Sequence, residues 1–119
     1  MLHFSTSTRG RLTLLAISAL AIRLVIFAAR GAFIGFDEGY YLLLARNLWS
    51  GHGYTLNGLP HVVFSPLYPV LTGGLARLTG DLIWAGRLVS AIASAALVIP
   101  TFYLARRIAD ERSAWIASA

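Results

Sequence analysis

Two long apolar segments dominate the hydrophobic pattern of the chain. They cover residues 12–30 and 82–105, and each contains one internal arginine, Arg23 in the first and Arg87 in the second. About 20 apolar residues in a helix cross the roughly 30 Å hydrocarbon core of a bilayer. The pattern therefore predicts two membrane-spanning helices, and Pro100 is expected to kink the second one near its end.

The first apolar segment also has features of a secretory signal peptide. Arg9 and Arg11 precede it, and small residues from Ala28 to Ala32 follow its core. A charge inside the apolar run, at Arg23, disfavours a signal peptide. A membrane-spanning helix is the preferred interpretation.

The residues between the two spans, 31–81, have a pattern of their own. Apolar side chains recur at helical spacing from Tyr41 to Trp49, which predicts an amphipathic helix near residues 37–50. A second helix is predicted near residues 66–78. It is too short to span a bilayer and is expected to lie at the outer leaflet. The glycine-rich and asparagine-containing connection, residues 51–58, predicts a turn without regular structure.

The composition and the arginines add a location and an orientation. Hydrophobic residues make up 57% of the chain and charged residues 13%, whereas soluble domains carry about 25% charge. The two terminal regions, residues 1–11 and 106–119, hold five arginines, and the much longer residues 30–81 hold three. The positive-inside rule then places the tail 1–11 and the turn 106–113 in the cytoplasm and the loop 31–81 outside. Scattered arginines without a basic patch argue against nucleic acid as a partner.

The last residues of the sequence become apolar again. Residues 114–119 are typical of the start of a third span. We therefore expect a multi-pass protein of the cell (cytoplasmic or inner) membrane, of which this chain is the N-terminal part.

The acidic pair Asp37 and Glu38 is the main candidate for chemistry. The chain has five carboxylate side chains, and two of them are adjacent here, at the expected membrane surface. Asp37 is predicted to be the N-cap of the amphipathic helix, and Glu38 in the first turn suits the positive end of the helix dipole. Carboxylates at this place can also accept a proton or bind a cation, so three roles stay open.

The two internal arginines suggest an anionic ligand. By the predicted topology, Arg23 and Arg87 lie in the outer half of the membrane, on the side of Asp37 and Glu38. Arginine inside hydrocarbon is costly and marks a candidate functional site, although both side chains could instead extend to the outer headgroups. Two arginines and two carboxylates in one layer of the membrane would suit the binding of an anionic lipid headgroup next to a proton-accepting carboxylate.

A cofactor is not expected from these residues. His52 and His61 could join the carboxylates around a divalent metal, but their spacing matches no compact metal site. A metal is possible in principle and is not supported by this segment.

Several short motifs occur in the order found in one class of membrane enzymes. They are Phe36-Asp37-Glu38-Gly39-Tyr40-Tyr41, Ala45-Arg46-Asn47-Leu48-Trp49-Ser50-Gly51-His52-Gly53, Pro60-His61, Ser65-Pro66-Leu67-Tyr68-Pro69 and Ala85-Gly86-Arg87-Leu88. Together they resemble the first external loop and second span of glycosyltransferases that use lipid-linked sugars. The resemblance is to the protein O-mannosyltransferase and aminoarabinose-transferase type, the RgtA/B/C/D-like family, and runs from about residue 12 to the end.

The resemblance implies an all-α, polytopic fold of the GT-C type. It implies transfer of a sugar from a polyprenyl-phosphate donor to a hydroxyl of a glycan, lipid or protein acceptor at the external membrane face, with inversion at the anomeric carbon. Asp37 matches the catalytic acidic position and would be the general base, with Glu38 as its partner. The expected substrate-binding and lipid-phosphate-binding residues are Arg87, Arg23, Tyr41 and His61.

The chain departs from this family at two places. Some aminoarabinose-transferring members carry a basic residue shortly after the acidic pair, where this chain has Gly39-Tyr40. They also carry a Glu-Lys pair before the motif proline, where this chain has Phe64-Ser65. Because these residues are missing, the phosphate contacts and the metal site of those members are less expected in this chain. The differences also argue against aminoarabinose as the sugar that it transfers.

Two other classes of protein stay open. One is a small non-enzymatic membrane subunit that assembles through the small-residue face of Gly86, Ser90 and Ser94. The other is part of a transporter for lipid-linked material, in which the arginines contact phosphate. Many further spans after residue 119 are expected for the enzyme, whereas a small subunit would end there.

Overall fold

A computed structural model describes residues 6–31 and 33–119, with side chains from residue 8 onward. This part of the chain is mostly helical and forms two compact units. One unit is Phe27–Ser90, and the other combines Met1–Ile26 with Ala91–Ala119. The elements in chain order are α1 (Thr6–Ala29), α2 (Phe36–Trp49), β1 (Thr55–Leu56), β2 (Leu59–Pro60), α3 (Leu67–Thr79), α4 (Leu82–Ala96), α5 (Val98–Ile108) and α6 (Glu111–Ser118).

Two helical stretches of the described residues are long and apolar enough to cross a membrane. They are Thr8–Ala29 and Leu82–Ile108, so a helix that is long and apolar enough to span a membrane lies at each predicted position, with somewhat different ends. The second stretch is interrupted at Leu97, between α4 and α5. Pro100 cannot donate a hydrogen bond to the carbonyl four residues earlier, and the interruption agrees with the kink expected there.

Helix α2 begins earlier than predicted, and Asp37 is not its N-cap. The N-cap is Gly35, whose N–H donates to Oε2 of Glu38 at 3.2 Å. This contact is one half of a capping box, and a glycine has no side chain to supply the other half. Asp37 is thereby placed inside the first turn. The helix ends at Trp49, close to the predicted residue 50, and Gly51 just beyond it has a positive φ of 85°.

The connection after α2 contains a small hairpin that the sequence analysis missed. Strands β1 and β2 pair antiparallel, with Leu56 opposite Leu59. The two turn residues, Asn57 and Gly58, have φ values of 53° and 79°, as a type I′ turn requires. The Asn-Gly dipeptide is the sequence signal for this turn, but the flanking strands are only two residues long each.

Helices α2 and α3 pack closely through a tryptophan. The indole of Trp49 lies against Gly73 and donates from Nε1 to the carbonyl of Val70 at 3.0 Å. The guanidinium of Arg77 donates to the carbonyl of Trp49, at the C-terminal end of α2, and lies 5.2 Å from the ring centroid. This packing holds α3 beside the helix that carries the acidic pair.

The other unit has a small core built from three buried residues, Leu12, Phe102 and Ala114, with the ring of Trp115 packed on Phe102.

Helix α5 continues to Ile108 and α6 begins at Glu111, so the predicted turn over residues 106–113 is much shorter, and α6 starts before residue 114. The reason is a second cap, since Asp110 accepts a hydrogen bond from the N–H of Ser113 at 2.9 Å. The hydrogen bonds from Ser113 lower the pKa of Asp110.

Candidate active site

An open cleft of about 480 Å³ lies within the unit Phe27–Ser90. Its walls come from the C-terminal end of α1, from α2, from the start of α3 with the loop before it, and from α4. Four of the residues predicted from sequence line it, namely Asp37, Glu38, Tyr41 and Arg87. The remaining lining residues are Phe27, Ser65, Tyr68 and Ser90.

The carboxylate of Asp37 is exposed and free at the edge of this cleft. Among the described residues it has no hydrogen bond and no ion pair. An ionised carboxylate has about four acceptor positions. All of those of Asp37 are available to a ligand or a proton.

The neighbouring carboxylate, Glu38, is in a different situation. Its Oε2 accepts from the N–H of Gly35 at 3.2 Å, and its Oε1 lies 3.8 Å from Nε of Arg87. At 3.8 Å, Glu38 and Arg87 form an ion pair, but the two atoms are too far apart for a hydrogen bond. The structure thus separates the acidic pair into one engaged carboxylate and one free carboxylate.

Arg87 is buried among protein groups, unlike the alternative in which its side chain extends to the outer headgroups. Its side chain is only 4% exposed. The guanidinium donates to the backbone carbonyls of Phe27 at 3.1 Å and Phe33 at 2.9 Å, and also to that of Gly31. The rings of Phe27 and Trp84 flank it at 5.9 and 5.8 Å, so its charge is held by protein groups on several sides.

Two tyrosines form the wall between α2 and α4. The ring of Tyr41 meets that of Tyr68 edge-on at 5.4 Å. The hydroxyl of Tyr68 donates to the carbonyl of Gly86 at 3.0 Å and accepts from Ser90 at 3.4 Å. A Cβ at Gly86 would lie 2.8 Å from this hydroxyl. The small residues Gly86 and Ser90 therefore accommodate Tyr68 of the same unit.

An aromatic cluster anchors the loop that brings Ser65 to the cleft. The ring of Phe64 packs at a tilt against the rings of Tyr41 and His61, with a centroid distance of 4.9 Å in each case. Tyr54 donates to the carbonyls of Phe64 at 3.0 Å and Ser65 at 3.3 Å. Burial, and to a smaller extent the nearby Tyr41, raises the pKa of Tyr54, so its hydroxyl keeps the proton that it donates.

The other two predicted binding residues, His61 and Arg23, do not line the cleft. Nε2 of His61 accepts from the N–H of Phe64 at 3.2 Å, which gives this side chain a role in ordering the loop. Arg23 belongs to the other unit, where it donates to the carbonyl of Ala19 at 3.2 Å. A contact of Arg23 with a lipid phosphate stays a prediction.

Sequence reasoning missed four of the lining residues as parts of a site. Ser65 and Tyr68 stood within the proline-containing motif, so a signal for them was present. Ser90 was assigned only to helix packing, and nothing in the sequence marked Phe27.

For a metal, the described residues contain no cluster of three or more histidine, aspartate or glutamate side chains.

Comparisons with known proteins do not place the chain in a family. No protein-family model matches it, and neither does any curated protein or any solved structure. The evidence for a function is therefore the chemistry of the cleft, together with the resemblance of the motifs.

Proposed function

We propose that this protein is a membrane glycosyltransferase of the GT-C type, in which Asp37 is the general base. It transfers a sugar from a polyprenyl-phosphate donor to an acceptor hydroxyl. The observation that carries the proposal is the free carboxylate of Asp37 at a cleft whose other walls offer hydroxyls and aromatic rings.

The size and lining of the cleft suit one sugar unit. Ligand sites for small molecules occupy about 300–1,000 Å³ and combine apolar walls with a few polar groups. Here the rings of Phe27, Tyr41 and Tyr68 supply the apolar walls. The hydroxyl of Ser65 can donate and accept hydrogen bonds, and that of Ser90, which donates to Tyr68, can still accept them, as a polyhydroxylated ligand requires.

The reaction needs a base at the position of Asp37. The acceptor oxygen forms a bond to the anomeric carbon while the bond from that carbon to the phosphate oxygen breaks. The proton of the acceptor hydroxyl passes to Asp37, and the polyprenyl phosphate leaves with the bonding electrons. A positioned carboxylate in this role contributes roughly 10²–10⁴-fold to the rate.

The proposal includes a location. The two apolar helices would cross the cytoplasmic or inner membrane with the N-terminus inside, which puts Asp37 at the external face, where polyprenyl-linked sugars are used. Among the alternatives, a subunit that assembles through Gly86 and Ser90 is less well supported, because Tyr68 occupies that part of the face.

Direct measurement of sugar transfer tests the proposal. Membranes that contain the complete protein are incubated with a panel of radiolabelled polyprenyl-phosphate hexoses and pentoses. We expect the label to leave the donor and appear in a glycan, lipid or protein fraction with one of these donors, and not in membranes that lack the protein. Donors that all stay intact in both membranes would contradict an enzymatic function.

A further inference from the structure

We infer that Arg87 is a positioning residue for Asp37 and does not bind the donor phosphate. It joins the end of α1 to the start of α2 and so fixes the turn of α2 that carries the proposed base. The inference rests on the proposed function only in giving Asp37 a catalytic role. The contacts of Arg87 stand independently of it.

The first half of this connection is made at the C-terminal end of α1. The last four carbonyls of a helix have no partner within it, and the carbonyl of Phe27 is one of them. Arg87 binds this carbonyl and those of Gly31 and Phe33, which follow the helix. A cation is also favoured at this end by the helix dipole.

The second half is made at the N-terminal end of α2. Glu38 faces Arg87 with one carboxylate oxygen and holds the N–H of Gly35 with the other. The carboxylate of Glu38 therefore holds the start of α2, and the positive charge of Arg87 stabilises that carboxylate. Glu38 sits in the first turn, where a negative charge is favoured by the dipole of α2.

Asp37 depends on this arrangement because its carboxylate is not held by any polar partner among the described residues. Its side chain has no hydrogen-bond or ion-pair partner among the described residues, so only the backbone of the first turn determines where its carboxylate lies. Whatever shifts Gly35 and Glu38 will shift Asp37 with them. A displacement of about 1 Å can cost roughly 100-fold in rate when a catalytic group must meet its substrate.

The same contacts leave Arg87 poorly suited to a phosphate. A guanidinium has five N–H donors, and three backbone carbonyls already receive hydrogen bonds from Arg87. Its Nε faces Glu38, and the whole side chain is 4% exposed. An incoming phosphate would meet the negative charge of Glu38 at the same guanidinium.

Hydrogen exchange of the first turn of α2 tests the structural part. In the complete protein in nanodiscs, Arg87→Met is expected to raise amide exchange over residues 35–40 at least about tenfold, as the loss of several charge-assisted hydrogen bonds implies. The matched control is Arg77→Met, which removes a carbonyl contact at the other end of α2 and should leave residues 35–40 unchanged. Wild-type exchange in Arg87→Met would overturn the inference.

A milder variant keeps the test valid if Arg87→Met fails to fold. Glu38→Gln retains an oxygen acceptor for Gly35 and removes only the charge that faces Arg87. We expect exchange over residues 35–40 to rise about threefold in this variant, in line with the loss of one ion pair. An unchanged rate in Glu38→Gln counts against the inference by itself.

Steady-state kinetics separate positioning from phosphate binding. In Arg87→Lys we expect kcat for sugar transfer to fall about tenfold, with the donor KM unchanged, because a misplaced base affects the chemical step. A raised donor KM with unchanged kcat would instead assign Arg87 to the phosphate. If the wild-type protein transfers no sugar, the proposed function fails, but the exchange experiment still decides whether Arg87 holds the first turn.

Discussion

Asp37→Asn is expected to abolish sugar transfer while membrane insertion and fold are retained. The amide has nearly the shape of the carboxylate but cannot accept the proton of the acceptor hydroxyl, so a loss of roughly 10²–10⁴-fold is expected. The exposed side chain has no hydrogen bond or ion pair among the described residues that the substitution could break. The measurement is the initial rate of label transfer in membranes with matched protein levels.

The matched control for this variant is Asp81→Asn. Asp81 is exposed, in the same unit, and accepts a hydrogen bond from the N–H of Trp84 at 2.9 Å. Asparagine caps helices about as well as aspartate, so the control should keep its activity. Normal turnover by Asp37→Asn would leave Asp37 with no role beyond a favourable charge in the first turn of α2.

Gly73→Ala is expected to give the largest loss of stability of any glycine-to-alanine change in the unit Phe27–Ser90. The added Cβ would lie 2.0 Å from Cδ1 of Trp49 and 2.8 Å from its Cγ. These atoms are near the base of a rigid ring, which is also held by its hydrogen bond to Val70. Overpacking of this kind costs about 1–3 kcal/mol of unfolding free energy, and occasionally more.

Unfolding in mixed detergent micelles, followed by helical circular dichroism, measures this effect. Gly39→Ala is the control, because its Cβ would have only Ile34 nearby, at 3.8 Å, and alanine is the better helix former. We expect Gly39→Ala to unfold at the wild-type midpoint or slightly later. A wild-type midpoint for Gly73→Ala would mean that α2 and α3 are not packed through Trp49.

The helices of this protein could be predicted well from the sequence, since long apolar runs and helical periodicity are local signals. Helices α2 and α3 were expected near residues 37–50 and 66–78 and lie at Phe36–Trp49 and Leu67–Thr79. The exact start of α2 was missed because Asp37 is a preferred N-cap residue type, while the observed start depends on Glu38 reaching back to Gly35.

The candidate site could be predicted only in part. Asp37, Glu38 and Tyr41 lie close together in sequence on one helix, so their meeting at the cleft follows from local structure. The partners of Arg87 could not be predicted, since the carbonyls of Phe27, Gly31 and Phe33 are more than 50 positions away in sequence. Backbone carbonyls have no sequence signature, and so the arginine was assigned to an external anion.

The resemblance to lipid-linked-sugar glycosyltransferases stays a prediction. It implies a general-base role for Asp37, which a free carboxylate suits. It also implies that His61 binds substrate, whereas Nε2 of this side chain accepts from the backbone N–H of Phe64.

Protection of position 37 by donor is the most direct test that the cleft binds lipid-linked sugar. Residues 1–119 contain no cysteine, so Asp37→Cys introduces the one thiol of this segment, whose modification is read by mass spectrometry of the peptide that carries position 37. Loss of the base keeps bound donor from being consumed. We predict that a polyprenyl-phosphate sugar slows modification by an aqueous thiol reagent at position 37 at least about tenfold, as burial of the thiol under a ligand implies. Modification of Asp81→Cys should be unaffected. Equal modification rates at position 37 with and without every donor tested would contradict the account.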